Sequence, residues 1–331
     1  MQPLISVMVP AFNAERTIDA TLDSVLKQTW RPIELVLVND GSIDSTGGRI
    51  EKFQRQHACT DFSITTHHQP NSGLLASRRV GLKLSTGDFL QFLDADDLLH
   101  PQKFEHCMAA FAREPTDVVV PRTKHFVHDA EVETSLQTPP VIEMWPNTAI
   151  RNSSITSNLW HTAGPLFTRS VVLKAGGFPN DVHPVIEELE FHGRIKLLNP
   201  KISYLSVILN FYRKGSTSSV TGTLKRVYEG RICGANVARE MLVDAGNESF
   251  REWNSLTMMA LRTVYQVKTC LPDDQEMFIR AFEAFEKILI ARGRGYHLFG
   301  KCLSPKRMQR LISVTSTFVP RIGRRLRSLG S

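Results

Sequence analysis

Leu4-Ile5-Ser6-Val7-Met8-Val9 is a short, nearly unbroken apolar run that halts at Pro10, the pattern of a strand buried on both faces. Asn13 offers a helix cap, and Ile18, Leu22, Val25 and Leu26 then recur on one helical face. Ile33 to Val38 repeats the strand pattern and ends at Asn39-Asp40-Gly41-Ser42, after which Asp44 or Ser45 opens a second helix through Ile50 and Phe53. Phe62 to Thr66 predicts a third strand. The polar loop Gln69-Pro70-Asn71-Ser72-Gly73 leads into a third helix that closes at Leu84, and Phe89 to Leu93 predicts a fourth strand running into Asp94-Ala95-Asp96-Asp97. Strand and helix alternating at this rhythm predict an α/β fold, a mostly parallel sheet with helices on both faces.

Beyond Gly222 the period changes. Met277, Phe278, Ala281, Phe282, Phe285, Ile288 and Leu289 make one helical stripe, and Trp253, Leu256, Ala260, Leu261, Val264 and Val267 make another. The expected organisation is an α/β domain over 1–220 and a helical region over 221–331. Charge divides at the same place: residues 1–220 carry a net −2 and residues 221–331 a net +9. From Lys301 to Ser331 there are eight basic residues and no acid. Such a stretch seeks nucleic acid or an anionic membrane leaflet, or is simply solvated. If residues 318–327 turn helical after Pro320, their mixture of arginine and aliphatics suits a membrane surface.

Composition removes several classes. With 42% hydrophobic and 22% charged residues the chain is neither disordered nor low in complexity. The longest apolar stretch, around Tyr204 to Tyr212, falls far short of the ~20 residues of a membrane span. Met1 to Pro10 lacks the basic start of a secretory signal. The five cysteines are widely spaced with no CxxC pair, which argues against a disulfide framework or a thiolate zinc site and fits a cytoplasmic protein.

Parallel sheets of this kind bind ligands at the carboxyl ends of their strands, and there lie Asp40, Asp94, Asp96 and Asp97. No Gly-x-Gly-x-x-Gly follows the first strand and no P-loop is present, so dinucleotide and NTPase readings fall. Three carboxylates within four residues repel one another and need a cation, hydrogen bonds or full solvation. With no His/Cys cluster nearby in sequence, the cation would be hard: Mg2+ or Mn2+. The competing possibility is a solvated turn in which Asp97 caps a helix beginning at Leu98-Leu99.

Four segments occur in order: Val7-Met8-Val9-Pro10-Ala11-Phe12-Asn13-Ala14-Glu15, Val36-Leu37-Val38-Asn39-Asp40-Gly41-Ser42-Ile43-Asp44, Gln69-Pro70-Asn71-Ser72-Gly73, and Gly87-Asp88-Phe89-Leu90-Gln91-Phe92-Leu93-Asp94-Ala95-Asp96-Asp97. Together they closely resemble the family 2 nucleotide-sugar glycosyltransferases of the GT-A fold, a Rossmann-like mostly parallel sheet flanked by helices. The resemblance implies a nucleotide-binding half over 1–110 and an acceptor-side half over 111–220. It implies that Pro10, Ala11 and Phe12 line the nucleobase pocket, with Glu15 beside them, and that Asp40 accepts from the base. It assigns Arg78, Asp94, Ala95, Arg213 and Lys214 to the nucleotide-sugar, and Asp96 with Asp94 to a bridging Mn2+ or Mg2+. Arg79 stands where the family usually has Asn.

Downstream, Gly176-Gly177-Phe178-Pro179 followed by Glu187-Glu188-Leu189-Glu190 resembles the family's segment bearing the general base, which falls on Glu188 in place of the usual Asp. The resemblance implies an inverting, metal-dependent transfer from a nucleoside-diphosphate sugar to a glycan or lipid-linked acceptor. It places the enzyme in polysaccharide or glycolipid assembly, cytoplasmic or peripheral on the inner membrane face through residues 301–331. Tyr212 to Ser218 resembles the loop over the diphosphate, without the metal-binding His of some relatives. Trp160 and His161 are read as packing residues ahead of sugar contacts. The Gln-x-x-Arg-Trp signature of processive synthases is absent, and no nucleic-acid partner is expected. The alternative is a non-catalytic module binding nucleotide-sugar or polyanion on the same scaffold.

Overall fold

The computed structural model describes residues 2–141, 161, 163–179, 187–214 and 224–291, with the side chains of 187, 188, 250 and 251 outside that description. The chain divides into two compact units, Met1–Val220 and Thr221–Ser331. In the first, strands β1 (Ile5–Ala11), β2 (Ile33–Asp40), β3 (Phe62–Gln69) and β4 (Phe89–Phe92) alternate with helices α1 (Ile18–Leu26), α2 (Thr46–His57) and α3 (Leu74–Leu84). Then come β5 (Leu98–Leu99), α4 (Lys103–Arg113), β6 (Val118–Phe126), α5 (Ala130–Gln137), β7 (Leu166–Thr168), α6 (Arg169–Lys174), α7 (Glu187–Leu197) and β8 (Ile202–Arg213). The eight strands make one sheet in the order β3-β2-β1-β4-β7-β6-β8-β5. β3, β2, β1 and β4 are parallel, β7 runs antiparallel to both β4 and β6, and β5 antiparallel to β8. The sheet is therefore mixed, with its parallel half where the sequence alternates.

Successive side chains of a strand face opposite ways, and here both ways lead into core. Val7, Val9, Leu35 and Leu37 pack with Ile18, Leu22, Ile50, Phe104 and Met108 of α1, α2 and α4. Met8, Val36, Val38 and Phe92 pack on the other face with Val171, Val172, Phe191 and Ile195 of α6 and α7. Burial on both sides is why these strands read as continuous apolar runs. In the second unit α8 (Leu224–Asp244), α9 (Phe250–Cys270) and α10 (Gln275–Ala291) bury the stripes seen in the sequence, among them Trp253, Leu256, Val264, Phe278, Phe282 and Phe285. No helix among the described residues is long and apolar enough to cross a membrane.

Two local expectations change. Asn13 does not cap α1, which begins at Ile18 after Thr17; Asn13 adopts a left-handed φ of 49° and turns its side chain toward the neighbouring loop. Nor do Leu98 and Leu99 open a helix: they form β5, paired with Phe211 and Asn210 of β8, and Asp97 before them is buried.

At the opposite end of the strands Glu34 of β2 is buried yet fully used. It accepts from Ser6 Oγ at 2.5 Å, from the Thr86 amide at 2.7 Å and from Thr86 Oγ1 at 2.9 Å, while Ser6 Oγ takes the Gly87 amide at 2.8 Å. This knot sets the entry of β4. A Cβ on Gly87 would lie 2.7 Å from Leu4 O and 2.8 Å from Ser6 N, so backbone would have to move. Gly87→Ala is expected to cost ~1–3 kcal/mol by overpacking, read as a lower urea midpoint with an unchanged slope.

Candidate functional site

The chain builds β1, β2 and β3 outward in one direction, then returns to place β4 on the other side of β1. The carboxyl end between β1 and β4 is thus the point where strand order reverses, which is where sheets of this type leave a crevice. Pro10 and Ala11 end β1 there, Phe12 follows with 45% of its surface exposed, and Asp94, Ala95, Asp96 and Asp97 follow β4.

The loops after β1 and β2 are locked to each other. Asn13 N donates to Ser42 Oγ at 3.0 Å and Asn13 Oδ1 accepts from Ile43 N at 3.0 Å. Ala14 N donates to Thr46 Oγ1 at 2.8 Å, and Glu15 N to Asp44 Oδ2 at 3.2 Å. The Glu15 carboxylate accepts from Ser45 N and Ser45 Oγ, bonds that hold its pKa below the usual value. Glu15 therefore closes this clasp instead of facing the crevice as a free carboxylate.

Asp40 is buried and also committed. Its carboxylate accepts from Gln69 Nε2 at 2.7 Å, Ser72 N at 2.9 Å and Gly73 N at 2.8 Å, so it pins the loop that enters α3. Gly41 makes this possible: its φ is +71°, and a Cβ would stand 2.6 Å from Asn71 N. The same loop presents α3, whose Arg78 is 1% exposed and donates to Asp94 Oδ1 at 2.7 Å. Burial pushes the Asp94 carboxyl up, but Arg78 and His161 outweigh it and the pKa ends below its ordinary value.

Around Asp94 the structure gathers a group that sequence spacing did not reveal. His161 lies 4.0 Å from Asp94 Oδ2 through Nε2 and 3.4 Å from Asp97 Oδ2 through Nδ1. One donor atom from each of Asp94, Asp97 and His161 falls within 4.8 Å of the others, the metal-competent cluster found among the described residues. An octahedral ion with bonds of ~2.1 Å spaces its donors ~3–4 Å apart, so one imidazole nitrogen and the two carboxylates are near, though not at, the spacing such an ion needs. Two carboxylates and an imidazole suit Mn2+ better than Mg2+. Asp96 stands outside the cluster; its backbone carbonyl accepts from Arg213 Nε at 2.9 Å. Asp97, 1% exposed, accepts from the Arg213 amide at 3.0 Å. The Arg213 guanidinium lies 2.6 Å from Asp129 and over the Phe126 ring, so this arginine is bound within the protein, while Lys214 is exposed.

Glu188 is the second residue of α7 (Glu187–Leu197). Glu190 is buried and pairs with Arg194 one turn later. Before α7, Phe178 stacks on Phe191 at 4.2 Å and meets Phe92 edge-on at 4.8 Å, tying the Gly-Gly-Phe turn to β4. Arg79 donates to Pro179 O at 2.5 Å, giving the residue at the family's Asn position a partner in that turn. The Glu188 side chain, Trp160, the 215–218 loop and residues 301–331 lie outside the described residues.

The family model described as Glycosyl transferase family 2 matches residues 6–173. The glycosyltransferase GlyA of Streptococcus pneumoniae is 30% identical over 226 residues, 65% of this chain and 32% of that protein. The chain thus spans about a third of that relative's length. Two solved structures share the fold. S. aureus TarS 1–349 in complex with UDP-GlcNAc has a TM-score of 0.55 at 18% identity, over 88% of this chain and 92% of that one. The mannosyltransferase PcManGT from Pyrobaculum calidifontis, with GDP-Man and Mn2+, has a TM-score of 0.54 at 15% identity, over 99% and 85%.

Lys103, at the start of α4, is 0% exposed; burial brings its pKa down to about 7, against the pull of Cys107 and Asp97. Unfolded lysine keeps its proton far above that pH, so unfolding takes up a proton once the folded ammonium has lost its own. Over pH 7–8.5, below the range where Cys107 with its pKa of about 12 intervenes, the wild type is expected to gain stability relative to Lys103→Met. The gain is at most ~1.4 kcal/mol per pH unit, read from urea unfolding across that range.

Proposed function

This chain belongs to glycosyl transferase family 2, and from that premise we propose that it moves a sugar from a nucleoside-diphosphate donor to an acceptor hydroxyl with inversion. The observation that carries this reading is the Asp94–Asp97–His161 cluster, held at the strand-order reversal beside Pro10, Ala11 and Phe12. The nucleobase lies against Phe12 and the end of β1, over the loop that Asp40 fixes. Asp94, oriented by Arg78, takes the ribose side and shares the ion with Asp97 and His161; Asp96, the ligand expected from the sequence pattern, competes with Asp97 for that role. The ion, Mn2+ or Mg2+, supplies positive charge to the diphosphate as it leaves. Lys214 adds charge at the open side.

Glu188 takes the proton of the acceptor hydroxyl. The acceptor oxygen then attacks the anomeric carbon as the bond to the diphosphate breaks, so the configuration inverts in one displacement. The acceptor is a glycan or lipid-linked sugar in polysaccharide or glycolipid assembly, approached from the cytoplasmic face, with residues 301–331 on the anionic leaflet.

Thermal shifts with UDP, GDP, dTDP and CMP, each with and without Mn2+, should single out one nucleotide whose stabilisation needs the metal. Glu188→Gln should keep that shift and lose ~10²–10⁴-fold in kcat. Asp94→Ala should lose both, and Asp96→Ala against Asp97→Ala separates the two ligand sets. Donor binding with no turnover toward any acceptor assigns the non-catalytic binding role instead.

A further inference from the structure

The turn that delivers His161 is short and held from inside. Gly164 N donates to His161 O at 2.8 Å and Ala163 N to His161 Nδ1 at 3.4 Å, so His161 is tied through its carbonyl to the 163–164 peptide, the unit that also bears Ala163 O. The carbonyl of Ala163 points into the core and receives two donors, Lys103 Nζ at 2.8 Å and Gln91 Nε2 at 2.9 Å. Gln91 belongs to β4, three residues before Asp94, and Lys103 opens α4, six residues after Asp97. One carbonyl oxygen thereby registers the His161 turn against the elements that carry both aspartates.

A lysine is a costly way to satisfy that oxygen. Gln91 already donates to it, and burying an ammonium costs far more than burying an apolar side chain of the same length. α4 places Lys103 on the face that also buries Phe104, Cys107, Met108 and Ala110, where a methionine would pack without penalty. A lysine at such a position implies work other than packing.

We propose that Lys103 is a positioning residue that sets His161 against Asp94 and Asp97 through the carbonyl of Ala163, and so tunes the affinity of the ion site. This rests on the reading that those three residues hold the ion, and the experiment separates the two. Mn2+ alone is titrated into the full-length chain and followed by electron paramagnetic resonance, for the wild type, Lys103→Met, His161→Ala and the double variant. Lys103→Met should weaken Mn2+ about 10-fold, the order seen when groups behind a metal ligand are removed, while its Tm at pH 7.5 does not fall. In the His161→Ala background the same substitution should change Mn2+ binding by less than about 2-fold, because it acts through the missing ligand. If Lys103→Met does not fold, Gln91→Leu, which frees the same carbonyl from the other side, is measured in the same cycle. A wild type that binds no Mn2+ overturns the ion site itself. Unchanged affinity in Lys103→Met, or an equal loss with and without His161, overturns the role of Lys103 alone.

Discussion

A carboxylate taken out of water must be matched by positive charge or by donors, and the carboxyl edge of this sheet is organised around that requirement. Asp94 and Asp97 sit three positions apart in chain and close in space, one partly and one almost wholly buried. Arg78 reaches Asp94 from α3, the Arg213 amide reaches Asp97 from β8, and His161 stands between them on the turn before β7. Each compensating group comes from a different element, so the two acids can be buried beside one another only once the sheet and its helices have assembled. The site is a tertiary object, built from residues that no single element brings together.

The loops after β1 and β2 solve the same problem without a cation. Asp40 saturates its carboxylate with two backbone amides and an amide side chain, and Glu15 and Asp44 do likewise across the first two loops. Each carboxylate holds backbone that is otherwise irregular, which fixes the floor of the crevice before any ligand arrives. The two regions differ in kind: the loop acids are satisfied by backbone and side-chain donors, whereas the cluster around Asp94 keeps acids and an imidazole within reach of one another.

The parallel half of the fold was legible because short apolar runs bounded by turn residues alternate with helical stripes, and the stripes after residue 224 were legible from their 3.6-residue period. The ordered segments around Pro10, Asp40, Gly73 and Asp94 carried the family. What stayed hidden depended on contacts distant in sequence. Leu98-Leu99 is too short to announce a strand and becomes one only by pairing with β8. His161 is a lone histidine beside a tryptophan, without a spacing that marks a ligand. Lys103 did leave a trace: it falls four residues before Cys107 on the buried face of α4, and a lysine in an apolar stripe is a departure that periodicity alone would have exposed.

The occupant of the acid cluster is decided most directly by anomalous scattering from crystals of the full-length chain grown with Mn2+ and the nucleotide that stabilises it. A manganese peak bonded to Asp94, Asp97 and His161, with the diphosphate completing its shell, is the expected result. A peak held elsewhere, or a bound nucleotide with His161 still lying between two metal-free aspartates, would contradict it.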